Sequence, residues 1–491
     1  MFVAAYSRLA SFLTDDVFIS VRYAAHLVRG HGLVYNVGEH VEGYTNFLWT
    51  LLLTPPLAVG WPVIAWIKVM NALWAIAVGL LTIRVARVYT PEAGDSGPHA
   101  WHALPGALCL ATVPFVLSAA EGLETMMFTA LLLFFVASTW DARDEEIVPP
   151  AAIALVALGL TRPDGWAYLP WMVLAALLRR RSKAWIVRAV LVALAGLGAH
   201  EVFRAAYYGD LLPNTLRAKS AGTAFLLDRG WSQFLQFAEV TGGWLWLLAL
   251  VPLAFTRART GALALLSAIG VRLAFHVWSG GPWMGRGRFL TPILPLLLIL
   301  IVQGVMLLLR RGPRLAIGLV TVAGLLLFPG WRQAPAIEAG SLGYGEHLRA
   351  AHGRLGADVG ALTATDAVMA MDDAGLGPLT AGRTNVDLLG LNDRHLGRLP
   401  GSYAEKSDPQ YVFDRNPDVI VLVAKRPPPI GANDLIVPSE VPIFTDPLFA
   451  ARYRFARGYA FESSYHLLLY ARLDSPRVRP ELWSSPPPPV R

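Results

Sequence analysis

The sequence is poor in cysteine and in charge. It contains one cysteine, Cys109, within an apolar stretch, which excludes disulfide bonds within the chain and cysteine-ligated metal centres. Charged residues make up only 16% of the 491 residues, whereas 55% are hydrophobic. A chain of this composition cannot bury all of its apolar side chains inside soluble domains, so it requires lipid as a solvent.

An internal repeat of fixed period is also absent from the sequence, which argues against transporter folds built from duplicated halves. The apolar residues instead form long unbroken blocks, such as 63–88 and 290–309, and each block is long enough to cross a bilayer. About ten such helices are predicted between residues 46 and 330. The predicted fold class is therefore an all-α polytopic membrane helix bundle.

The formal net charge of +7 comes mostly from short loops at helix ends rather than from one basic surface. This distribution is a topology signal and does not indicate nucleic acid as a partner. If these loops lie on the cytoplasmic side of the membrane, the loops that hold Glu121, Asp164, Asn214 and Arg286 face outward, as does the C-terminal part of the chain. The basic loops are at residues 84–87, 179–183, 257–259 and 310–314.

The N-terminal region does not form a regular span. Residues 47–59 are an apolar run of about 13 residues interrupted by Pro55 and Pro56, a length typical of an interfacial helix. Residues 2–13 contain Arg8 and are too short to cross a bilayer comfortably. We therefore expect a truncated first span, followed by a large outer loop over residues 11–62.

The composition changes near residue 330, where the apolar spans end and charge rises. Short β-rich runs at 361–371, 419–423 and 465–471 predict strands. The predicted domains are a membrane domain over 1–330 and a small, outward-facing soluble α/β domain over 331–491. Residues 484–491 are predicted to be a disordered, proline-rich tail.

Two adjacent carboxylates, Asp15 and Asp16, begin a predicted helix in the outer loop, with Thr14 as its expected N-cap. The helix dipole favours ionised carboxylates at this position, whereas burial against the membrane opposes ionisation. A carboxylate between these effects would be able to act as a base. The alternative is that both residues only cap a surface helix.

The end of the same loop is rich in hydrogen-bonding groups. Glu42, Tyr44, Thr45 and Asn46 directly precede an apolar helix, as a polyol-binding cleft at the membrane surface would require. Ordinary turn chemistry explains the glycines of this loop equally well, but it explains the cluster of polar side chains less well.

Ionisable residues also interrupt the apolar sequence further along. Glu121, Glu124, Arg162 and Asp164 lie on the predicted outer side, and ionisable groups at such depth are functional candidates because they are costly to keep there. The alternative is that Arg162 and Asp164 pair only to hold two helix ends together.

Basic residues in two outer loops oppose the charge bias of the topology. Arg217, Lys219, Arg286 and Arg288 are candidates for binding an anion, and a lipid-linked phosphate is the natural anion at this depth. Binding to the headgroups of anionic membrane lipids is the competing explanation.

Acidic and amide side chains follow two predicted strands of the soluble domain. Asp372, Asp373, Asn392 and Asp393 would be able to bind an acceptor sugar or a divalent ion. They are also the usual residues of turns, so the signal is weak by itself.

The order of residues from Asp15 to Thr45 resembles the polyprenyl-phosphate-sugar-dependent glycosyltransferases of the C superfamily (GT-C). Within that superfamily it is similar to the mycobacterial terminal arabinofuranosyltransferase group and its bacterial relatives. The motif includes Arg22, and the landmarks that support it are 122–125, 161–165, 209–219, 288–289 and 387–393. The resemblance implies a helical membrane core, a catalytic aspartate in the first outer loop and a C-terminal domain that helps to bind the acceptor.

The predicted function is transfer of a sugar, with arabinofuranose as one candidate, from a polyprenyl-phosphate donor to a cell-envelope glycan or glycolipid on the outer face of the inner membrane. A lipid-linked donor explains why no glycine-rich nucleotide loop follows a strand. Asp15 or Asp16 would be a general base in an inverting reaction, or a nucleophile or cation stabiliser in a retaining one. The sequence indicates no particular cofactor, and a divalent cation is one candidate.

The candidates for binding the donor phosphate are Arg22, Lys219, Arg286 and Arg288. The candidates for binding sugar or acceptor are Glu42, Tyr44, Thr45, Glu121, Glu124, Arg162, Asp164, Asn214, Asp372, Asp373, Asn392 and Asp393. Two other classes of function stay open: a transporter or flippase, which also carries intramembrane charges, and a non-catalytic membrane protein for envelope or motility assembly.

Overall fold

The structure, a computed structural model, describes residues 2–90, 100–220, 222–283, 287–309 and 313–483. Its first part is almost entirely helical. The α-helices of this part are α1 Phe2–Arg8, α2 Asp16–Val28, α3 Phe47–Leu52, α4 Thr54–Ala58, α5 Val63–Tyr89, α6 Leu104–Ala111, α7 Val113–Ala120, α8 Thr125–Trp140, α9 Pro150–Thr161, α10 Leu169–Leu178, α11 Lys183–Tyr208, α12 Asn214–Ala218, α13 Thr223–Val240, α14 Thr256–Trp278, α15 Leu294–Leu309 and α16 Pro313–Leu348. Short 3₁₀ helices connect them at Ala100–Ala103, Pro163–Tyr168, Gly243–Ala254 and Thr291–Ile293.

Within the described ranges, five helices are long and apolar enough to cross a membrane: Val63–Tyr89, Lys183–Tyr208, Thr256–Trp278, Thr291–Leu309 and Ile317–Leu362. Two bent pairs would raise this number to seven. Trp101–Ala111 and Val113–Ala120 meet at 62°, and Thr223–Val240 and Gly243–Ala254 meet at 88°. The multi-pass character is thus confirmed, whereas the predicted number of about ten spans stays a prediction.

The bundle has a buried centre and an apolar outer surface. Helix α8 is buried along nearly its whole length, whereas α5 and α11 expose large apolar side chains such as Leu80 and Leu191. Exposed leucines along a long helix are costly in water and favourable in lipid. These outward faces are therefore the surfaces that a bilayer would cover.

Helix α16 runs through the predicted domain boundary at residue 330 without interruption. A bilayer accommodates about 20 helical residues, whereas the candidate span Ile317–Leu362 contains 46. Its C-terminal part, including His352 in the π-helical turn Arg349–Gly353, therefore lies outside the membrane-spanning segment. The division into 1–330 and 331–491 stays a prediction.

The C-terminal domain contains a five-stranded mixed sheet with helices around it. The strands are β1 Val368–Met371, β2 Thr384–Asp387, β3 Val419–Ala424, β4 Tyr453–Glu462 and β5 Tyr465–Arg472, in the order β2-β1-β3-β5-β4. Strand β1 pairs in parallel with β2 and β3, whereas β5 pairs antiparallel with β3 and β4. The helices are α17 Arg354–Leu362, α18 Leu376–Ala381, α19 Arg394–Arg398, α20 Pro409–Asp414, α21 Glu440–Thr445 and α22 Pro447–Arg452, with 3₁₀ turns at Ala432–Asp434 and Pro480–Leu482.

The predicted α/β character of this domain agrees with the sheet, but one strand begins later than expected. Residues 361 and 362 end helix α17, and β1 begins only at Val368. Strands β2 and β4 were not predicted, because β2 is short and polar and β4 carries two arginines. The predicted disordered tail at 484–491 lies outside the described residues.

Candidate functional site

The segment before Asp15 is held against the bundle by a lysine. Lys68 of α5 donates to the carbonyl oxygens of Phe12 and Ala120, both at 2.5 Å, and of Leu9 at 3.3 Å. The Thr14 hydroxyl donates to the Glu121 carbonyl at 3.4 Å and makes no cap bond to α2. The predicted N-cap role of Thr14 is therefore wrong, because its side chain serves this contact to the end of α7.

Asp15 joins α2 to the C-terminal domain. Its carboxylate is buried and accepts hydrogen bonds from the backbone amides of Gly375 at 2.9 Å and Leu376 at 2.8 Å, at the start of α18. A Cβ on Gly375 would clash with the Asp15 backbone and side chain, so this close approach requires glycine. Burial raises the pKa of Asp15 to about 6, although the nearby His352 opposes the rise.

Asp16 has a different environment from its neighbour. Consecutive helical residues point about 100° apart, so the two carboxylates cannot serve the same contact. Asp16 is half-buried and makes no hydrogen bond or ion pair within the described part of the chain. Its charge acts instead on Lys219 and on Tyr403 of the C-terminal domain. Of the two aspartates, Asp16 is the one whose carboxylate is available to a substrate.

Lys219 lies at the centre of an excess of positive charge. Burial lowers the pKa of Lys219, the neighbouring Arg288 and Arg162 lower it further, and Asp16 opposes the shift. Arg288 is largely buried, with its Nε 4.0 Å from the Glu121 carboxylate. Desolvated cations with few counter-charges attract anions, so this arrangement favours the prediction that Lys219 and Arg288 bind the donor phosphate. Arg286, which was predicted to contribute, lies outside the described residues.

A paired ion network lies beneath this site. Arg162 binds Glu124 at 2.7 Å and Asp164 at 3.0 Å, and Arg272 of α14 forms a second ion pair with Asp164. The Arg162 guanidinium is 4.2 Å from the centre of the Phe289 ring, and Arg272 Nε donates to the Phe289 carbonyl at 2.5 Å. The network therefore positions the residue that follows Arg288, and its contacts favour a structural role for Glu124, Arg162 and Asp164.

The polar residues at the end of the first loop bind helix α11. Glu42 accepts two hydrogen bonds from Arg204, at 2.6 and 3.2 Å. The Tyr44 hydroxyl lies 3.0 Å from that of Tyr208, and both are buried. Thr45 is exposed. These contacts do not form the open cleft that a polyol would require, so a sugar-binding role for Glu42 and Tyr44 is a prediction that their geometry does not favour.

Asn214 links the loop after α11 to the C-terminal domain. Its amide donates to the carbonyl oxygens of Gly390 at 2.8 Å, Leu391 at 3.0 Å and Asp393 at 3.0 Å. The Asp393 carboxylate caps α19 by accepting from two backbone amides. The Asn392 side chain accepts from the Tyr23 hydroxyl of α2 at 3.1 Å. The side chains of Asn214 and Asn392 therefore connect the two domains, whereas the Asp393 carboxylate is engaged within the C-terminal domain.

Arg22, predicted to bind the donor phosphate, is fully engaged elsewhere. Its guanidinium donates to the carbonyl oxygens of Tyr35 at 2.8 Å, Pro378 at 2.5 Å and Arg383 at 2.6 Å. A buried arginine that already donates to three carbonyl groups has little capacity left for a phosphate. The contacts favour a structural role for Arg22 between the first loop and the C-terminal domain.

Asp372 and Asp373 lie at the end of β1, close to Asp15. Asp373 pairs with His352 at 2.6 Å and accepts from the Tyr465 hydroxyl at 2.9 Å. Burial raises the pKa of Asp373, but His352 more than offsets this and leaves the pKa below its usual value. Burial raises the pKa of Asp372 well above its usual value. The described residues contain no group of three or more His, Cys, Asp or Glu that could hold a metal ion, and the divalent cation stays a prediction.

Several residues of the site were not predicted. Lys68, Arg204 and Arg272 lie within apolar helices, and the rule that identified Arg162 as a candidate would also have identified them. Tyr403 and His352 carry no comparable sequence signal, because only the packing of the C-terminal domain brings them to the first loop.

Comparisons with known proteins agree with this architecture. The solved structure of ArnT from Cupriavidus metallidurans in the apo state is similar with a TM-score of 0.58 and 13% identity, covering 95% of this chain and 97% of that one. The same protein bound to undecaprenyl phosphate has a TM-score of 0.55, with the same identity and coverage. The chain therefore shares its fold with ArnT.

Two sequence relatives of this chain carry the name of an arabinofuranosyltransferase. The chain is 33% identical over 229 residues to a terminal beta-(1->2)-arabinofuranosyltransferase of Mycobacterium tuberculosis, covering 43% of this chain and 35% of the relative. It is 28% identical over 344 residues to the enzyme of the same name from Corynebacterium glutamicum, covering 61% of this chain and 48% of the relative. The matched segments thus span less than half of either relative. Residues 341–476 match the family described as "Domain of unknown function (DUF8728)". The predicted resemblance to the mycobacterial terminal arabinofuranosyltransferase group is confirmed.

Proposed function

We propose that this protein is a membrane glycosyltransferase that moves a sugar from a polyprenyl-phosphate donor to a glycan or glycolipid acceptor of the cell envelope. The observation that carries the proposal is one available carboxylate, Asp16, that interacts electrostatically with Lys219, whose other charged neighbours include Arg288. This site lies where the helical bundle meets the C-terminal domain. The names of the sequence relatives support arabinofuranose as the sugar.

The charges suit the two ends of the reacting bond. The donor phosphate would bind Lys219 and Arg288, which stabilise the negative charge that develops as the bond between the sugar and the phosphate oxygen breaks. The binding of undecaprenyl phosphate to ArnT supports a phosphate with a lipid tail between the helices. The leaving phosphate takes the electron pair of the broken bond, and an acceptor oxygen forms the new bond to the anomeric carbon.

Asp16 is the reacting carboxylate in this proposal. In an inverting reaction it accepts the proton of the acceptor hydroxyl as the new bond forms. In a retaining reaction it acts as a nucleophile or stabilises the oxocarbenium-like state. Asp15 has a positioning role in either reaction, because both of its carboxylate oxygens accept backbone amides of the C-terminal domain.

The location follows from the charge pattern. We place the protein in the bacterial inner membrane with its basic loops, such as 84–87 and 179–183, in the cytoplasm. The site and the C-terminal domain then face outward, where nucleotide sugars are not available and lipid-linked donors are.

The test is a transfer assay with purified protein, radiolabelled polyprenyl-phosphoryl arabinose and a short arabinan acceptor. We expect Asp16→Asn to lower kcat by about 100-fold or more, as loss of a general base does, without lowering thermal stability. Asp141→Asn is the matched control, because Asp141 is exposed at a distant end of α8. Full activity of Asp16→Asn would refute the mechanism. Failure of the wild type with every polyprenyl-phosphate sugar, together with sugar movement across vesicles, would favour a flippase instead.

A further inference from the structure

An aromatic pair lies beside Asp16 and Lys219, and the mechanism above does not use it. The rings of Trp283 and Tyr403 are 4.5 Å apart at an interplanar angle of 55°. Trp283 belongs to the loop after α14, whereas Tyr403 belongs to the C-terminal domain. The pair therefore bridges the two parts of the molecule at the proposed site.

Each side of the pair is held rigidly. The Arg229 guanidinium lies 4.3 Å from the centre of the Trp283 ring, and it donates to the carbonyls of Gly280 at 2.8 Å and Pro282 at 2.6 Å. Such contacts fix the loop that presents the indole. Pre-organised aromatic rings bind a ligand with little loss of side-chain entropy.

Tyr403 is fixed to the segment that carries Lys219. Its backbone amide donates to the Ser220 carbonyl at 2.7 Å, and Lys406 Nζ donates to the Arg217 carbonyl at 2.7 Å. The position of the Tyr403 ring relative to Lys219 is thus set by two hydrogen bonds between the domains. The pair cannot move away from the cationic site unless these bonds break.

The polar atoms of both rings are available. Within the described ranges, neither the Tyr403 hydroxyl nor the Trp283 indole N–H makes a hydrogen bond, although both residues are only partly exposed. Half-buried Tyr and Trp side chains normally find a polar partner. Burial, followed by the Asp387, Asp16 and Asp372 carboxylates, raises the pKa of the Tyr403 hydroxyl well above the usual value, so this hydroxyl stays a proton donor.

We propose that Trp283 and Tyr403 form a subsite for the ring of the acceptor sugar whose hydroxyl meets Asp16. A sugar ring has an apolar C–H face and a polar hydroxyl edge. Partly exposed aromatic rings whose N–H and O–H groups make no hydrogen bond match both of these surfaces, and ligand sites commonly lie between domains. The acceptor fits this position better than the donor, because the donor phosphate is held on the bundle side by Lys219 and Arg288.

This inference rests on the proposed glycosyl transfer, and its experiment separates the two. Kinetics of Trp283→Ala and Tyr403→Ala should show a rise of about 10-fold or more in KM for a short arabinan, with KM for the lipid-linked donor within about two-fold of wild type. Tyr403→Phe keeps the ring and should raise the acceptor KM by about 3- to 10-fold, as loss of one hydrogen bond does. Trp244→Ala is the matched control, because Trp244 is exposed on an apolar helix.

Direct binding supplies the second measurement. Arabinan binding to the Asp16→Asn protein, measured by calorimetry without donor, should be weakened by the same factor when Trp283 or Tyr403 is also replaced. If no transfer occurs but this binding is lost, the subsite stands and the proposed reaction fails. If the aromatic variants bind arabinan like wild type, or change only the donor KM, the subsite proposal is overturned. Trp283→Phe covers the case in which Trp283→Ala does not fold.

Discussion

Replacing Asp15 tests whether this carboxylate holds the helical bundle and the C-terminal domain together by hydrogen bonds rather than reacting with substrate. In Asp15→Ala the amides of Gly375 and Leu376 lose their acceptor inside a buried contact. Each buried amide left without a partner costs about 1–3 kcal/mol. Loss of the acceptor for both amides therefore predicts that Asp15→Ala lowers the free energy of unfolding by about 2–6 kcal/mol at a pH where the Asp15 carboxyl is neutral.

The charge on Asp15 makes this effect depend on pH. Its pKa rises from 3.8 in the unfolded chain to about 6 in the folded protein, mainly through burial. The folded state then binds the proton more tightly than the unfolded state, so the stability that Asp15 contributes is present below pH 4 and is lost as the pH rises to about 6. The shift corresponds to about 3 kcal/mol. Asp15→Ala should therefore be more damaging at pH 4.5 than at pH 7.5.

Amide hydrogen exchange of the peptide that contains Gly375 and Leu376 measures this difference in detergent-solubilised protein. After correction for the intrinsic pH dependence of exchange, the protection lost in Asp15→Ala should shrink by up to about 100-fold between acid and neutral pH. Asp16→Asn is the control and should leave this protection unchanged at both pH values. Loss of protection in Asp16→Asn, or an Asp15→Ala effect that grows with pH, would refute the assignment of the two aspartates.

Two further predictions concern the ion pairs around the site. Arg272→Met should lower the free energy of unfolding by about 3 kcal/mol or more, because it removes one partner from the buried Asp164 carboxylate. Arg257→Met is the control, because Arg257 is exposed on the same helix, and it should have little effect on the melting temperature. Equal melting temperatures of the two variants would contradict the network. His352→Gln should destabilise the protein most below pH 6.5 and progressively less above it. Asp373 raises the pKa of His352 despite its burial, and the stability that this pair contributes is lost as the histidine deprotonates. Thermal melts across pH 5.5 to 8.5 would show this, and a pH-independent effect would argue against a charged His352.

The helices show how far hydropathy carries a prediction. The apolar block at 63–88 corresponds to α5, which ends one residue later, and the block at 290–309 corresponds to the candidate span Thr291–Leu309. A helix satisfies its own backbone hydrogen bonds, so its apolar length can be read from local sequence. The bends cannot be read in this way. The 88° turn after Val240 passes through Gly242 in a left-handed conformation, and its direction depends on the helices packed around it.

The candidate site shows the same division at the level of single residues. The sequence identified Asp15 and Asp16 as carboxylates that begin a helix beside the membrane, and Lys219 and Arg288 as basic groups that oppose the charge bias of the topology. It could not assign different roles to the two aspartates. Their roles differ because Gly375 and Leu376 pack beside Asp15 and not beside Asp16. These two residues lie about 360 residues away in the chain, so only the folded structure shows the contact.

The sequence by itself determined the membrane class, the GT-C resemblance and the loop that contains the carboxylate proposed to react. Composition, span length and a short ordered motif are local properties, and each can be read from the sequence without knowledge of contacts. Only the tertiary structure decided that Arg22 and Glu42 are fully engaged and that Tyr403 meets Trp283. These outcomes depend on which hydrogen-bonding partners lie beside each polar side chain in the folded protein, and long-range packing determines those partners.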